Sequence, residues 1–119
     1  MATLEKLPCL KYLQLGMRSY RGKQMLCSAT GFPQLLSLDF HLLKELEEWK
    51  IEEKAMSRLK YLSLRSCRKL KMIPEGLKNV PLDHLECRGT PNALRNRMEE
   101  NTGEDWYKIR HVPSISIEY

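Results

Sequence analysis

The chain has 119 residues, 42% of them hydrophobic, and its twenty basic and fifteen acidic side chains give a net charge of +5. That suffices for one domain and no more. No run of about 18 apolar residues is present to span a membrane, no apolar signal region follows Met1, and no Asn-x-Ser/Thr glycosylation acceptor exists, so the expected compartment is the cytoplasm, with the nucleus also allowed.

In chain order, Leu4-Glu5-Lys6-Leu7-Pro8 reads as the closing part of a repeat whose strand is missing. Leu10-x-x-Leu13-x-Leu15 then opens a rule that returns as Leu35-x-x-Leu38-x-Phe40, Leu59-x-x-Leu62-x-Leu64 and Leu82-x-x-Leu85-x-Cys87, with starts 25, 24 and 23 residues apart. Self-similarity at that period is the signature of a leucine-rich repeat solenoid. The expected fold is therefore α/β, with about four parallel strands near 11–16, 36–41, 60–65 and 83–88 and a repeat region over 1–90. Strand side chains alternate, so the second and third apolar positions of each repeat stack into one core that no single repeat buries alone.

Between the strands the pattern is weaker. Gly16 to Gly31 reads as a long loop, and the charge-mixed run Glu45 to Lys54 as a short exposed helix or turn. In the third repeat Cys67 takes a buried position whose polar hydrogen serves the turning backbone. Leu70 and Ile73 return over the core, Pro74 stops any helix there, and Leu77 and Val80 close the far side. After residue 90 the rule stops. Pro91 to Asn101 reads as a short helix with Pro91 in its first turn and Leu94 and Met98 on one face. Trp106, Tyr107, Ile109, Val112 and Ile115 form an apolar tail. Residues 91–119 are read together as the C-terminal cap that a solenoid needs. The N-terminal end shows no such cap, so the chain reads as the C-terminal piece of a longer solenoid or a truncated product.

Gly31-Phe-Pro-Gln-Leu35, Leu46-Glu-Glu-Trp49, Met56-Ser-Arg-Leu59-Lys-Tyr-Leu62, Cys67-Arg-Lys-Leu70-Lys-Met-Ile73-Pro74-Glu-Gly-Leu77 and the ending Glu104-Asp-Trp106-Tyr-Lys-Ile109-Arg-His-Val112-Pro-Ser-Ile115 resemble the final repeats and tail of plant intracellular disease-resistance proteins. The class is the one that joins a coiled coil, a nucleotide-binding switch (NB-ARC) and leucine-rich repeats. The resemblance covers essentially the whole chain. It implies a role in plant defence: sensing a pathogen effector or a guarded host protein, and holding the receptor's own nucleotide-binding domain inactive. The first two modules are absent, so only the recognition surface carries over. A repeat adaptor outside defence, such as a substrate-binding segment for a ubiquitin ligase, is the alternative.

No catalytic constellation, cofactor site or metal site is expected. Gly16-Met-Arg-Ser-Tyr-Arg-Gly22-Lys23-Gln24 places five residues between its glycines where a phosphate loop has four, and Gln24 stands where the magnesium-binding hydroxyl is required. Cys9, Cys27, Cys67 and Cys87 form no C-x-x-C pair and His41, His84 and His111 are scattered, which points to free, mostly buried thiols. Residues 56–87 hold seven basic side chains against three acidic ones. A solvated surface accounts for that excess better than nucleic acid does, and Trp106 and Tyr107 beside Lys108 and Arg110 read as cap packing rather than a base-stacking platform.

The expected partner is a protein. Alternation places three columns on the concave face: Tyr12, Ser37, Tyr61 and His84; Gln14, Asp39, Ser63 and Glu86; Gly16, His41, Arg65 and Arg88. The second leans acidic and the third basic. Tyr12, Tyr61, Arg65 and Arg88 are the expected anchors, since Tyr and Arg are enriched in binding hot spots.

Overall fold

A computed structural model describes residues 10–16, 23–28 and 31–118. Expectations that fall on Leu4, Leu7, Cys9 and residues 17–22 lie outside these. The chain is α/β, with two parallel sheets. The main sheet has five strands: β1 (Tyr12–Leu15), β3 (Ser37–His41), β5 (Tyr61–Arg65), β6 (His84–Arg88) and β7 (Ser114–Glu118), hydrogen-bonded in that order. The second pairs β2 (Gln24–Cys27) with β4 (Glu48–Ile51). A 3-10 helix at Glu75–Asn79 and two short helices, α1 (Asn92–Arg97) and α2 (Trp106–Ile109), complete the elements.

Register follows from the apolar ladder. Leu13, Leu38, Leu62, Leu85 and Ile115 lie abreast, as do Leu15, Phe40, Leu64, Cys87 and Ile117. These side chains turn toward the second sheet, which sends Met25, Cys27, Trp49 and Ile51 back to meet them. The Trp49 ring packs edge-on against Phe40 with centroids 4.9 Å apart, and its indole N–H donates to Cys27 Sγ at 3.5 Å. Backbone bonds beyond the strands also tie the rungs at their ends. The amides of Leu36, Lys60 and Asp83 bond to the carbonyls of Lys11, Leu36 and Lys60, and those of Leu42, Ser66 and Gly89 to Arg65, Arg88 and Glu118. Leu42, Ser66 and Gly89 share a left-handed backbone, with φ of 60°, 56° and 66°. The chain thus leaves the sheet by the same turn three times, and only once with the residue that adopts that conformation without strain.

Several expectations are corrected. The segment read as a loop between Gly16 and Gly31 contains β2. The run read as a helix or turn between Glu45 and Lys54 contains β4, because Trp49 and Ile51 face inward and Glu48 and Lys50 outward at the strand period. Pro74 does not exclude a helix: it immediately precedes the 3-10 helix, where its missing N–H costs nothing. The helix after Pro91 ends at Arg97 rather than near Asn101, and Pro91 is its extended cap residue, with Leu94 and Met98 buried. The rule does not stop at the fourth repeat: Val112-x-x-Ile115-x-Ile117 obeys it, and Ser114–Glu118 pairs with β6 as a fifth parallel rung.

Candidate functional site

The outward side chains of the main sheet form three columns, as the alternation requires. Tyr12, Ser37, Tyr61 and His84 lie abreast and continue to Ser114. Gln14, Asp39, Ser63 and Glu86 continue to Ser116. His41, Arg65 and Arg88 continue to Glu118. Gly16 follows β1 and is not in that register pairing. Ser63 is only 2% exposed, so it contributes floor rather than contact.

The charges on this face are tied to each other across rungs. Arg65 donates from Nε and NH2 to the two carboxylate oxygens of Asp39 at 3.3 and 2.6 Å, a bidentate fork that fixes both side chains. The bond to Asp39, with that charge beside it, raises the guanidinium pKa above its ordinary value. Tyr61 donates its hydroxyl to Glu86 Oε2 at 2.7 Å. That bond, with desolvation and the Glu86 charge next in order, pushes the phenol above its ordinary value. Arg88 donates from Nε to Glu118 Oε2 at 2.9 Å. The expected anchors therefore differ in availability. Arg65 and Arg88 are engaged within the sheet, whereas Tyr12 is 70% exposed. Tyr61 stacks on His84, with centroids 5.1 Å apart and planes at 17°, and His84 Nδ1 lies 2.9 Å from Ser114 Oγ.

The basic middle of the chain is answered one repeat earlier. Lys69 pairs with Glu45 at 3.4 Å, Lys71 with Glu47 at 3.3 Å, and Arg58 donates to Gln34 at 3.1 Å. The repeat spacing itself brings the opposite charges together, and that relation was invisible when each stretch was counted alone.

A second cluster was missed in the sequence. Asp105 is fully buried. It accepts from Arg97 Nε and NH2 at 3.1 Å each, from Lys108 Nζ at 2.8 Å and from the backbone N–H of Ile73 at 3.0 Å. Lys108 also donates to the Ile73 carbonyl at 2.8 Å. Burial alone would push the Asp105 carboxyl up, but the bonds from Arg97, Lys108 and Ile73 outweigh it and hold the group below its ordinary value. Lys108, for which the sequence reading gave no role of its own, is thus a buried structural cation; an acid and a lysine three residues apart within the apolar tail was the available signal. Cys27, Cys67 and Cys87 are buried thiols outside any disulfide, and Cys67 Sγ lies 3.7 Å from the Arg65 carbonyl, serving the turn as expected. Burial pushes the Cys67 thiol up to about 11 and the Cys87 thiol up to about 12.

Among the described residues no His, Cys, Asp and Glu side chains converge in a group that would hold a metal ion, and no helix is long and apolar enough to cross a membrane. What the molecule presents is a parallel ladder with ordered polar columns on one face. In sequence the chain is related, over nearly its whole length, to a segment of plant disease-resistance proteins. It is 42% identical over 118 residues to the probable disease resistance RPP8-like protein 2 of Arabidopsis thaliana, 40% identical to the disease resistance protein RPH8A and 39% identical to the disease resistance protein RPP8 of the same plant. Each match covers 98% of this chain but 13% of the relative, so the chain spans about one eighth of their length. No family model matches, and no solved structure does.

Proposed function

We propose that this chain is a leucine-rich repeat solenoid segment that works in plant defence as a protein-interaction scaffold, not as an enzyme. The observation that carries the reading is the open face of the main sheet, where five parallel strands hold polar and aromatic side chains in register. Repeats of this kind build extended binding surfaces by stacking one rung on the next. The relatives, named as disease-resistance proteins, support the biological setting. The partner in this reading is a protein: a pathogen effector, a guarded host protein or the nucleotide-binding domain of a receptor, met in the cytoplasm. Cross-repeat pairing of Lys69, Lys71 and Arg65 with Glu45, Glu47 and Asp39 argues against a nucleic-acid surface.

The test is capture, in leaf tissue, of the remainder of an RPP8-like relative by the tagged chain. Capture that is lost in Ser116→Arg and Glu86→Lys, with circular dichroism unchanged, supports the reading. No capture by the parent chain, or equal capture by the variants, contradicts it.

A further inference from the structure

We infer that the open face carries an aromatic slot above Ser37, between Tyr12 and Tyr61, which receives one Trp or Tyr side chain from a protein partner. The inference rests on the reading of this face as the recognition surface. Its first support is spacing. Tyr61 and His84 sit on adjacent rungs, and their rings stack with centroids 5.1 Å apart, close to the roughly 4.8 Å between neighbouring strands. At one rung of separation, then, rings in this column reach stacking contact. Tyr12 and Tyr61 are two rungs apart with Ser37 between them, a gap of roughly 10 Å by the same spacing. A ring placed there would lie about one rung from each tyrosine, as His84 does from Tyr61. From Tyr12 to His84 the column is an aromatic stack with one member missing.

The second support is the direction in which Tyr61 is held. Its hydroxyl partner Glu86 and its stacking partner His84 both belong to β6. Its other flank adjoins β3, where the column supplies only the small side chain of Ser37. Tyr12, on the far wall, is the most exposed large hydrophobic side chain among the described residues, at 70%. Large exposed aromatic surface of this kind is the informative exception on a protein exterior.

The third support selects the chemistry of the guest. Asp39, Arg65, Glu86, Arg88 and Glu118 all have hydrogen-bonding partners on the face, so none of these charges stands unpaired to draw in a charged guest. An uncharged ring needs no such charge. Ser37 leaves a hydroxyl on the slot floor, and Trp and Tyr bring an apolar body with one polar hydrogen to meet it.

The probe is N-acetyl-tryptophanamide, titrated into the labelled full chain and followed by amide chemical shifts. The slot predicts saturable movement of Tyr12, Ser37 and Tyr61 together. Binding should weaken roughly tenfold or more in Ser37→Tyr, which fills the gap, and in Tyr12→Ser, which removes a wall. N-acetyl-leucinamide should bind clearly more weakly than the indole. Scattered or non-saturable shifts, equal binding by the leucine probe, or full binding by both variants would overturn the slot. Partner capture separates this inference from the broader one. If Ser116→Arg abolishes capture and Ser37→Tyr does not, the face stands and the slot falls; if neither does, both fall.

Discussion

Asp105 accepts the backbone N–H of Ile73 from 32 residues away, at 3.0 Å. Ile73 follows Trp49 by 24 residues, as Trp49 follows Met25, so it stands at the second position of what would be a third rung of the second sheet. The Lys71 amide bonds to the Glu47 carbonyl at 3.0 Å, just as Glu47 bonds to Lys23 at 2.8 Å one rung earlier. At Ile73 no further strand follows. The Asp105 carboxylate takes the free N–H and the Lys108 ammonium takes the free carbonyl. Two side chains thus close a sheet edge that would otherwise present unpaired backbone. The same segment continues into β7, so one stretch of chain terminates both sheets.

Asp105→Ala should destabilise the fold by about 3–5 kcal/mol, because Lys108 and Arg97 would lose their shared buried counter-charge. Urea unfolding would measure it. A loss below about 0.5 kcal/mol, the scale of an ordinary surface change, would contradict a buried clasp.

The same carboxyl sets an acid limit. Its folded pKa lies below the ordinary value of 3.8, so the ionised form contributes stability that is fully present above that value. The contribution is lost as pH falls through the folded value. Melting temperatures of the parent should drop below about pH 4, and Asp105→Asn, already weaker at neutral pH, should show a shallower drop. Parallel profiles would exclude Asp105 as the responsible group.

Leu62 is fully buried in the middle of the apolar ladder. Leu62→Ala should cost about 2–5 kcal/mol, and Leu62→Asp should abolish the cooperative melt, since an unpaired charge would sit in the core. A parental melt for Leu62→Asp would refute the register.

A Cβ at Gly76 would overlap the Ile51 carbonyl oxygen and approach the Ile51 Cβ. The 3-10 helix lies so close under β4 that only hydrogen fits. Gly76→Ala should destabilise by about 1–3 kcal/mol through forced backbone displacement, whereas Ala at Gly16, where the site is open, should leave the denaturation midpoint nearly unchanged.

Cys67 and Cys87, with pKa values of about 11 and about 12, should resist iodoacetamide at pH 8 in the folded chain and react once urea is added. Their raised folded values mean that burial of the neutral thiols contributes stability below the unfolded value near 9.0, and that this is lost as pH rises above it. Rapid native labelling, read by mass spectrometry, would contradict the burial.

The main sheet was legible because each repeat carries large apolar residues at fixed places, and their period alone sets the register from Leu13 to Leu85. The second sheet was not. Gln24–Cys27 and Glu48–Ile51 are four residues each, and the outward Gln, Glu and Lys masked an alternation too short to stand out. β7 was legible in principle, since Val112-x-x-Ile115-x-Ile117 keeps the rule, but that pattern begins at Val112, 30 residues after Leu82 rather than about 24. The extra length holds the two helices. Column membership on the open face could be read from alternation; which charges were already spent could not. Asp39 meets Arg65 and Tyr61 meets Glu86 only because rungs 24 and 23 residues apart lie side by side and each pair reaches diagonally, two residues further along the next strand.

The most direct test of the ladder, and of the tail as its fifth rung, is an engineered cross-link. Glu86 and Ser116 face each other across β6 and β7 on the open side, at the roughly 4.8 Å strand spacing that a disulfide accepts. Oxidised Glu86→Cys/Ser116→Cys protein should close an intramolecular bond in the native state, while Glu86→Cys/Ile115→Cys, whose side chains leave opposite faces, should not. Failure of the first pair, or efficient closure of the second, would contradict the register on which the open face and its columns depend.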